Sequence, residues 1–135
     1  MKKTLKLLAF LLIMMMALTV VASASGENTT SYNYEIEDTE YTVIFSNSSM
    51  SQEKQESIAR KLVGIDDSSA QTYGLKCTLF GHDYVYETAE VIVHKVNTYA
   101  PRCERDTYNL TYCDDCDYYE EELVRTTYIY CCAED

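Results

Sequence analysis

The sequence predicts a small α+β protein that is mostly antiparallel β-sheet, with one helix in its N-terminal half. Polar and apolar residues alternate with a period of two over several stretches, which is typical of half-buried strands. One stretch carries helix start and stop signals instead. All six cysteines and both histidines fall between Cys77 and Cys132, so we expect a Cys/His-stabilised β module in the second half.

Residues 1–24 have the pattern of a bacterial-type secretory signal peptide. Three lysines precede an apolar run over residues 7–21, and Ala22-Ser23-Ala24 supplies the small residues of a cleavage site. The apolar run is shorter than the roughly 20 residues that cross a bilayer. We therefore expect cleavage after Ala24 and a secreted protein, extracellular or associated with the cell surface, with no membrane contact in the mature form.

The charge balance excludes some partners. The chain has 22 acidic and 11 basic residues and a net charge of −11, and loss of the three leader lysines would make it about −14. Nucleic acid and anionic membranes both require a basic face, so neither is expected as a partner. A cation, or an unknown extracellular or cell-surface protein, is compatible with this charge. The thirteen tyrosines suit a contact surface, although packing and β propensity explain them equally well.

Residues 25–72 are expected to form a β-hairpin, one helix and a polar linker. Tyrosine and aliphatic residues alternate with polar ones over 32–36 and 41–45, on either side of a turn at Asp38. A helix is predicted over about 51–63, because a serine can cap its start and a glycine follows its end.

Residues 73–135 are expected to form the Cys/His-rich antiparallel β module. Segments rich in tyrosine and β-branched residues lead into Cys113 and out of Cys116 towards Cys131. The aliphatic content is low for a chain of this size, and small cores of this kind are commonly supported by disulfides or a metal.

Cys113 and Cys116 form a Cys-x-x-Cys turn, which presents two sulfurs at a spacing suited to one tetrahedral ion. Cys103 lies ten residues upstream, and either His82 or Cys77 can complete a set of four. Structural zinc is therefore one interpretation, with the acidic surroundings adding attraction for a divalent cation.

A disulfide framework is the competing interpretation, because thiols oxidise readily in secreted proteins. Six cysteines make three bridges in fifteen possible pairings, and the spacing does not choose among them. Cys77, Cys131 and Cys132 are disulfide candidates, with Cys77 bridging to one of the adjacent pair. His94 is interpreted as an ordinary surface or packing histidine rather than a ligand.

Catalysis is not expected. A redox Cys-x-x-Cys normally opens a helix, whereas strands flank this one, and the aspartates at 114, 115 and 117 would raise the thiol pKa. The sequence also lacks Gly-x-Ser-x-Gly, His-Glu-x-x-His and glycine-rich phosphate-loop patterns.

The stretch "CTLFGH…APRCERDTYNLTYCDDCDYYEEELV" resembles a Cys/His module repeated in surface proteins of gut Firmicutes. It is also similar to small secreted, zinc-ribbon-like Firmicutes proteins of unassigned function that carry Cys-x-x-Phe-Gly-His and end in Tyr-x-Cys-Cys. The resemblance covers about residues 73–132. It implies zinc ligands at four positions, namely Cys103, Cys113, Cys116 and His82. Asp117 replaces the glycine of those modules and Arg102 replaces a threonine, so the turn between the ligands would differ.

Together these features predict a secreted, non-catalytic interaction or structural module, stabilised by structural zinc, by disulfides or by both. Two alternatives are a metal store or sensor and a pure three-disulfide extracellular scaffold. A structural site holds one ion tightly and the fold depends on it, whereas a store takes several ions and stays folded without them.

Overall fold

The computed structural model describes residues 28–65 and 73–132, so the predicted signal peptide lies outside the described residues. Five strands form one antiparallel sheet in chain order, and the predicted small α+β class is confirmed. No helix among the described residues is long and apolar enough to cross a membrane. The elements in chain order are β1 (Thr29–Ile36), β2 (Thr39–Ser46), α1 (Gln52–Leu62), α2 (Leu75–Phe80), β3 (Tyr84–Val93), β4 (Cys103–Cys113) and β5 (Tyr119–Ile129).

The first two strands form the predicted hairpin. Ile36 pairs with Thr39, which leaves Glu37 and Asp38 as a two-residue turn. Both turn residues have positive φ angles, 48° and 65°. Such a turn matches the right-handed twist of its flanking strands and is favoured in tight hairpins.

The hairpin and the Cys/His segment share one sheet. β2 pairs with β3, β3 pairs with β4 along its whole length, and β4 pairs with β5. A register shift between Thr107 and Tyr108 interrupts only the β4–β5 pairing. The core therefore runs continuously across both halves of the described chain.

Helix α1 covers one face of this sheet. Ser51 caps it by accepting a hydrogen bond from the Lys54 backbone N–H, as the sequence predicts for a serine at this end. Its apolar residues and the preceding Met50 pack on alternate residues of β2, β3 and β4. The buried cluster consists of Met50, Ile58 and Ala59 with Val43, Phe45, Ala89, Val91, Leu110 and Tyr112.

The short helix α2 is the main difference from the sequence prediction, which assigned only strands and turns to residues 73–135. Its six residues contain one buried side chain, Cys77, and leave Leu75, Leu79 and Phe80 exposed. An apolar pattern this short gives no helical periodicity that could be distinguished from a strand.

Side chains alternate between the two faces of the sheet along β4, so its core residues and its two cysteines lie on different faces. Leu110 and Tyr112 point towards α1, so Cys103 and Cys113 belong to the opposite face. The two cysteines are ten positions apart on the extended strand, which corresponds to about 34 Å at roughly 3.4 Å per residue.

Glu87 of β3 anchors the loop between β2 and α1. Its carboxylate accepts hydrogen bonds from the Ser48 hydroxyl at 2.5 Å and from the Ser49 backbone and hydroxyl at 2.8 and 2.7 Å. The Tyr112 hydroxyl donates a further bond at 3.0 Å. Burial raises the pKa of Glu87, but these hydrogen bonds outweigh burial and hold its pKa below the ordinary value. The ionised carboxylate therefore fixes the start of α1 to the sheet.

Replacing Glu87 by Gln should lower the free energy of unfolding at pH 7 by about 2 kcal/mol, because charge-assisted hydrogen bonds are lost. Since the folded pKa of Glu87 lies below its unfolded value of about 4.3, its contribution is complete above that pH. The difference between the two proteins should therefore shrink as the pH falls below about 4. Urea titrations at several pH values measure it, with Glu122→Gln on an exposed strand position as the control. Equal stability of wild type and variant at pH 7 would contradict the anchoring role.

Candidate metal centre

The cysteines and histidines of the described chain gather into two groups of four. The first cluster consists of Cys77, His82, Cys113 and Cys116, and the second cluster consists of His94, Cys103, Cys131 and Cys132. Within each cluster all four ligand atoms lie within 4.8 Å of one another. Each group could therefore hold a metal ion.

The distances within the first cluster fit a tetrahedral site. The sulfurs of Cys77 and Cys113 are 3.6 Å apart, and the Cys116 sulfur lies 3.3 Å from His82 Nδ1. With zinc–sulfur bonds of about 2.3 Å, tetrahedral geometry separates two sulfurs by about 3.8 Å. These two distances are close to the edges of such a tetrahedron, so the four donors could surround one metal ion.

Two elements deliver the ligands of the first cluster. Helix α2 supplies Cys77 and ends at Gly81, whose φ of 84° turns the chain towards His82. A left-handed conformation of this kind strains any residue with a Cβ. The end of β4 supplies Cys113, and the following turn supplies Cys116.

The turn of residues 113–116 lies against the segment before α2. A Cβ added at Gly74 would lie 3.0 Å from the Asp115 carbonyl oxygen. That distance is closer than an ordinary van der Waals contact, so the absence of a side chain at Gly74 lets the two segments approach. The approach brings Cys77 to the Cys-x-x-Cys turn.

Backbone N–H groups are directed at the sulfurs of this turn. The Tyr118 N–H donates to the Cys116 sulfur at 3.4 Å. Burial raises the pKa of Cys113, but hydrogen bonds from His82 and from the Asp115 and Asp83 backbones lower it to about 6. The expectation that the aspartates at 114, 115 and 117 would raise the thiol pKa does not hold at Cys113, because the hydrogen bonds to its sulfur, one of them from the Asp115 backbone N–H, lower its pKa.

The pKa of Cys77 is shifted in the opposite direction to that of Cys113. Burial and the neighbouring sulfurs of Cys113 and Cys116 raise its pKa to about 12. Three neighbouring thiols, of which Cys77 and Cys113 are buried and Cys116 is half-buried, cannot all ionise side by side unless a cation neutralises them. The first cluster is thus arranged to carry three thiolates only together with a positively charged ion.

Tyrosine rings surround the imidazole of His82. The ring centroids of Tyr73, Tyr84 and Tyr118 lie 5.2, 5.5 and 4.8 Å from that of His82. Their packing restricts the orientation of the imidazole, and ordered ligands of this kind lower the entropic cost of binding an ion.

Two lysines contact the Cys-x-x-Cys turn from different sides. Lys54 of α1 donates to the carbonyl oxygen of Cys113 and, at 2.8 Å, to that of Cys116. Lys76 of α2 pairs with the Asp115 carboxylate at 2.5 Å and remains largely exposed. Helix α1 therefore fixes the backbone of the turn from the core side, and Lys76 contacts it from solvent.

The structure brings together three residues of the predicted zinc set, His82, Cys113 and Cys116, with Cys77, the predicted alternative ligand. It differs from the predicted set at Cys103, which belongs to the second cluster. The spacing of ten residues between Cys103 and Cys113 is spanned by the whole length of β4, so the two sulfurs lie at opposite ends of one strand.

The predicted pairing of Cys77 with Cys131 or Cys132 also differs from the structure. Cys131 and Cys132 follow β5 and lie in the second cluster, at the end of the sheet opposite Cys77. Cys131 instead lies within disulfide-bonding distance of Cys103, with a Cα–Cα separation of 5.9 Å. His94, interpreted from the sequence as a surface or packing residue, places Nδ1 3.2 Å from the Cys131 sulfur.

The order of the ligand pairs along the chain could have predicted which pairs form each cluster. The pairs 77/82, 94/103, 113/116 and 131/132 are separated by three strands that run back and forth. In an antiparallel meander, alternate connections lie at the same end of the sheet. Pairs one and three therefore meet at one end, and pairs two and four meet at the other.

A scan of protein-family models, a search of curated proteins and a search of solved structures each returned no match for this chain. The resemblance to Firmicutes Cys/His modules therefore stays a prediction from the sequence.

Substituting Met for Lys54 should destabilise the protein by about 2 kcal/mol, because two carbonyl groups of the turn lose a charged donor. The matched substitution Lys76→Met removes the same charge from an exposed ion pair on the same turn, and should destabilise the protein much less because solvent screens that pair. Thermal and urea unfolding of the two variants measure the difference. Equal losses of stability in the two variants would show that positive charge near the aspartates stabilises the turn, and that the hydrogen bonds from Lys54 to its backbone do not.

Proposed function

We propose that this chain is a secreted, non-catalytic structural or interaction module whose fold is stabilised by a zinc ion in the first cluster. The observation that carries the proposal is a complete Cys3His set at tetrahedral spacing, with backbone N–H groups donating to its sulfurs. Export of the chain is supported by the leader pattern of residues 1–24.

The donor set favours zinc. Thiolate and imidazole ligands suit zinc, whereas calcium and magnesium require oxygen ligands. Four protein ligands also fill a tetrahedral coordination sphere, which is typical of structural sites. Catalytic zinc sites keep a fourth position open for water or substrate. The first cluster therefore supports a structural role for the ion rather than a catalytic one.

The size of the core supports the same role. One helix of eleven residues covers one face of a five-stranded sheet, and nine residues make up the buried hydrophobic cluster. Domains with so small a core usually need additional cross-links. Zinc in the first cluster would join α2 to the end of β4, which no contact of the hydrophobic cluster does among the described residues.

The apolar surface of α2 supports an interaction role. Leu75, Leu79 and Phe80 are 76, 65 and 84% exposed on the helix that carries Cys77. Adjacent exposed apolar side chains commonly mark protein-binding surfaces. Zinc in the first cluster would hold this helix in place, so metal and partner binding would be coupled.

We expect the mature protein purified under reducing conditions to bind zinc with Cys77, Cys113 and Cys116 protected from alkylation. Chelation should expose these thiols and lower the free energy of unfolding, because binding energy and folding energy are shared in such sites. Native mass spectrometry, thiol counting and circular dichroism measure the three effects on one sample.

Cys116→Ser is the matching variant and should lose this ion, whereas Cys132→Ser, which changes only the second cluster, should retain it. A metal-free protein with no free thiol when prepared without reductant would instead identify the three-disulfide scaffold. A protein that binds several ions and is equally stable before and after chelation would identify a metal store.

A further inference from the structure

We propose that the second cluster is a second zinc site, in which His94 Nδ1 and the thiolates of Cys103, Cys131 and Cys132 bind one ion. This inference goes beyond the proposed function, which rests on the first cluster alone. The same chemical class of ligand is implied, a soft divalent cation that prefers sulfur and nitrogen donors.

The four donor atoms converge from three separate segments. His94 follows β3, Cys103 begins β4, and Cys131 and Cys132 follow β5. His94 Nδ1 lies 3.2, 3.3 and 3.8 Å from the sulfurs of Cys131, Cys132 and Cys103. The Cys132 sulfur lies 3.3 Å from Cys103 and 3.4 Å from Cys131. One nitrogen thus faces three sulfurs, two of which, those of Cys103 and Cys131, lie at disulfide-bonding distance from each other. These two cysteines must be reduced, and their sulfurs must separate, for the cluster to hold an ion as a Cys3His site.

A chain of hydrogen bonds fixes the tautomer of His94. The Thr42 hydroxyl donates its proton to Asn33 Oδ1 at 2.8 Å and lies 2.9 Å from His94 Nε2. Because that proton is already used, Thr42 can only accept from Nε2–H. The proton of the neutral imidazole is therefore on Nε2, and the lone pair of Nδ1 points at the sulfurs. Zinc-bound histidines are oriented by an outer hydrogen bond of this kind.

A disulfide between Cys103 and Cys131 accounts for the position of only two of the four donor atoms. It leaves the Cys132 sulfur and the oriented lone pair of His94 with no chemical role. A metal ion uses all four donors and also accounts for the Thr42–Asn33 relay behind His94. The donor arrangement therefore favours metal binding, and the disulfide is the form that the same two cysteines adopt when oxidised.

The protein to test is the full mature chain, reduced and supplied with zinc alone. Wild type should bind two ions per chain by native mass spectrometry. Cys132→Ser should bind one, and so should Cys116→Ser, which disrupts only the first cluster. With Co2+ in place of zinc, Cys116→Ser should still show the visible absorption of a tetrahedral cobalt–thiolate centre.

Two results would overturn the inference. One is a wild-type protein with a single ion and an unchanged ion count in Cys132→Ser. The other is a Cys103–Cys131 disulfide that persists in the reduced, zinc-supplied protein. In both cases the first cluster can still hold its ion. The proposed function fails on a different result, namely that the Cys116→Ser protein has the same metal content as wild type.

Thr42→Val tests the positioning role of Thr42 without touching a ligand. The change keeps the shape of the side chain and removes the acceptor for His94 Nε2–H. We expect the zinc affinity of the second site to fall at least tenfold, measured by chelator competition in the Cys116→Ser background. Thr88→Val, an exposed threonine on β3, is the control and should leave the affinity unchanged. Equal affinities in the two variants would contradict the tautomer argument.

Discussion

The pairing of β4 with strands on both of its sides is the constraint on which the rest of the structure depends. Its eleven residues pair with β3 and β5 and carry Leu110 and Tyr112 into the core. The same strand carries Cys103 at its first position and Cys113 at its last. A register slip of one residue would turn the core residues outward and misplace both cysteines, so the hydrophobic core and the two clusters specify the same register.

The two faces of the sheet are stabilised by different means. Helix α1 buries one face through a small hydrophobic cluster. On the other face, where no long helix packs among the described residues, the Cys/His clusters lie at the two ends of β4. Metal ions there would close the connections between strands and offset the small apolar area, because in small metal-binding domains the free energy of ion binding contributes directly to folding.

The surroundings of the first cluster are suited to negative charge on its sulfurs, although the chain as a whole is acidic. A zinc ion with three thiolates and one imidazole carries a net charge of about −1, which nearby hydrogen-bond donors stabilise. Backbone N–H groups of residues 83, 115 and 118 donate to the sulfurs, and Lys54 donates to two carbonyl oxygens of the turn. Asp115 thus contributes its backbone N–H and an exposed ion pair with Lys76, and the aspartate carboxylates of the turn are not among the ligand atoms of the first cluster.

The sequence by itself determined the local features: the strand periodicity, the tight turn before β2, a serine-capped helix over about 51–63 and the presence of Cys/His ligands. These features depend on residues that are close together in the sequence, so their spacing can be read directly from it. Only the tertiary structure decided which ligands meet. Cys103 and Cys113 are ten positions apart in the sequence yet lie at opposite ends of one strand, while the sulfur of Cys77 in α2 lies 3.6 Å from that of Cys113. Likewise the His94 ring is held by Thr42, 52 residues away, whose hydroxyl lies 2.9 Å from its Nε2, a contact that exists only after β2 and β3 have paired.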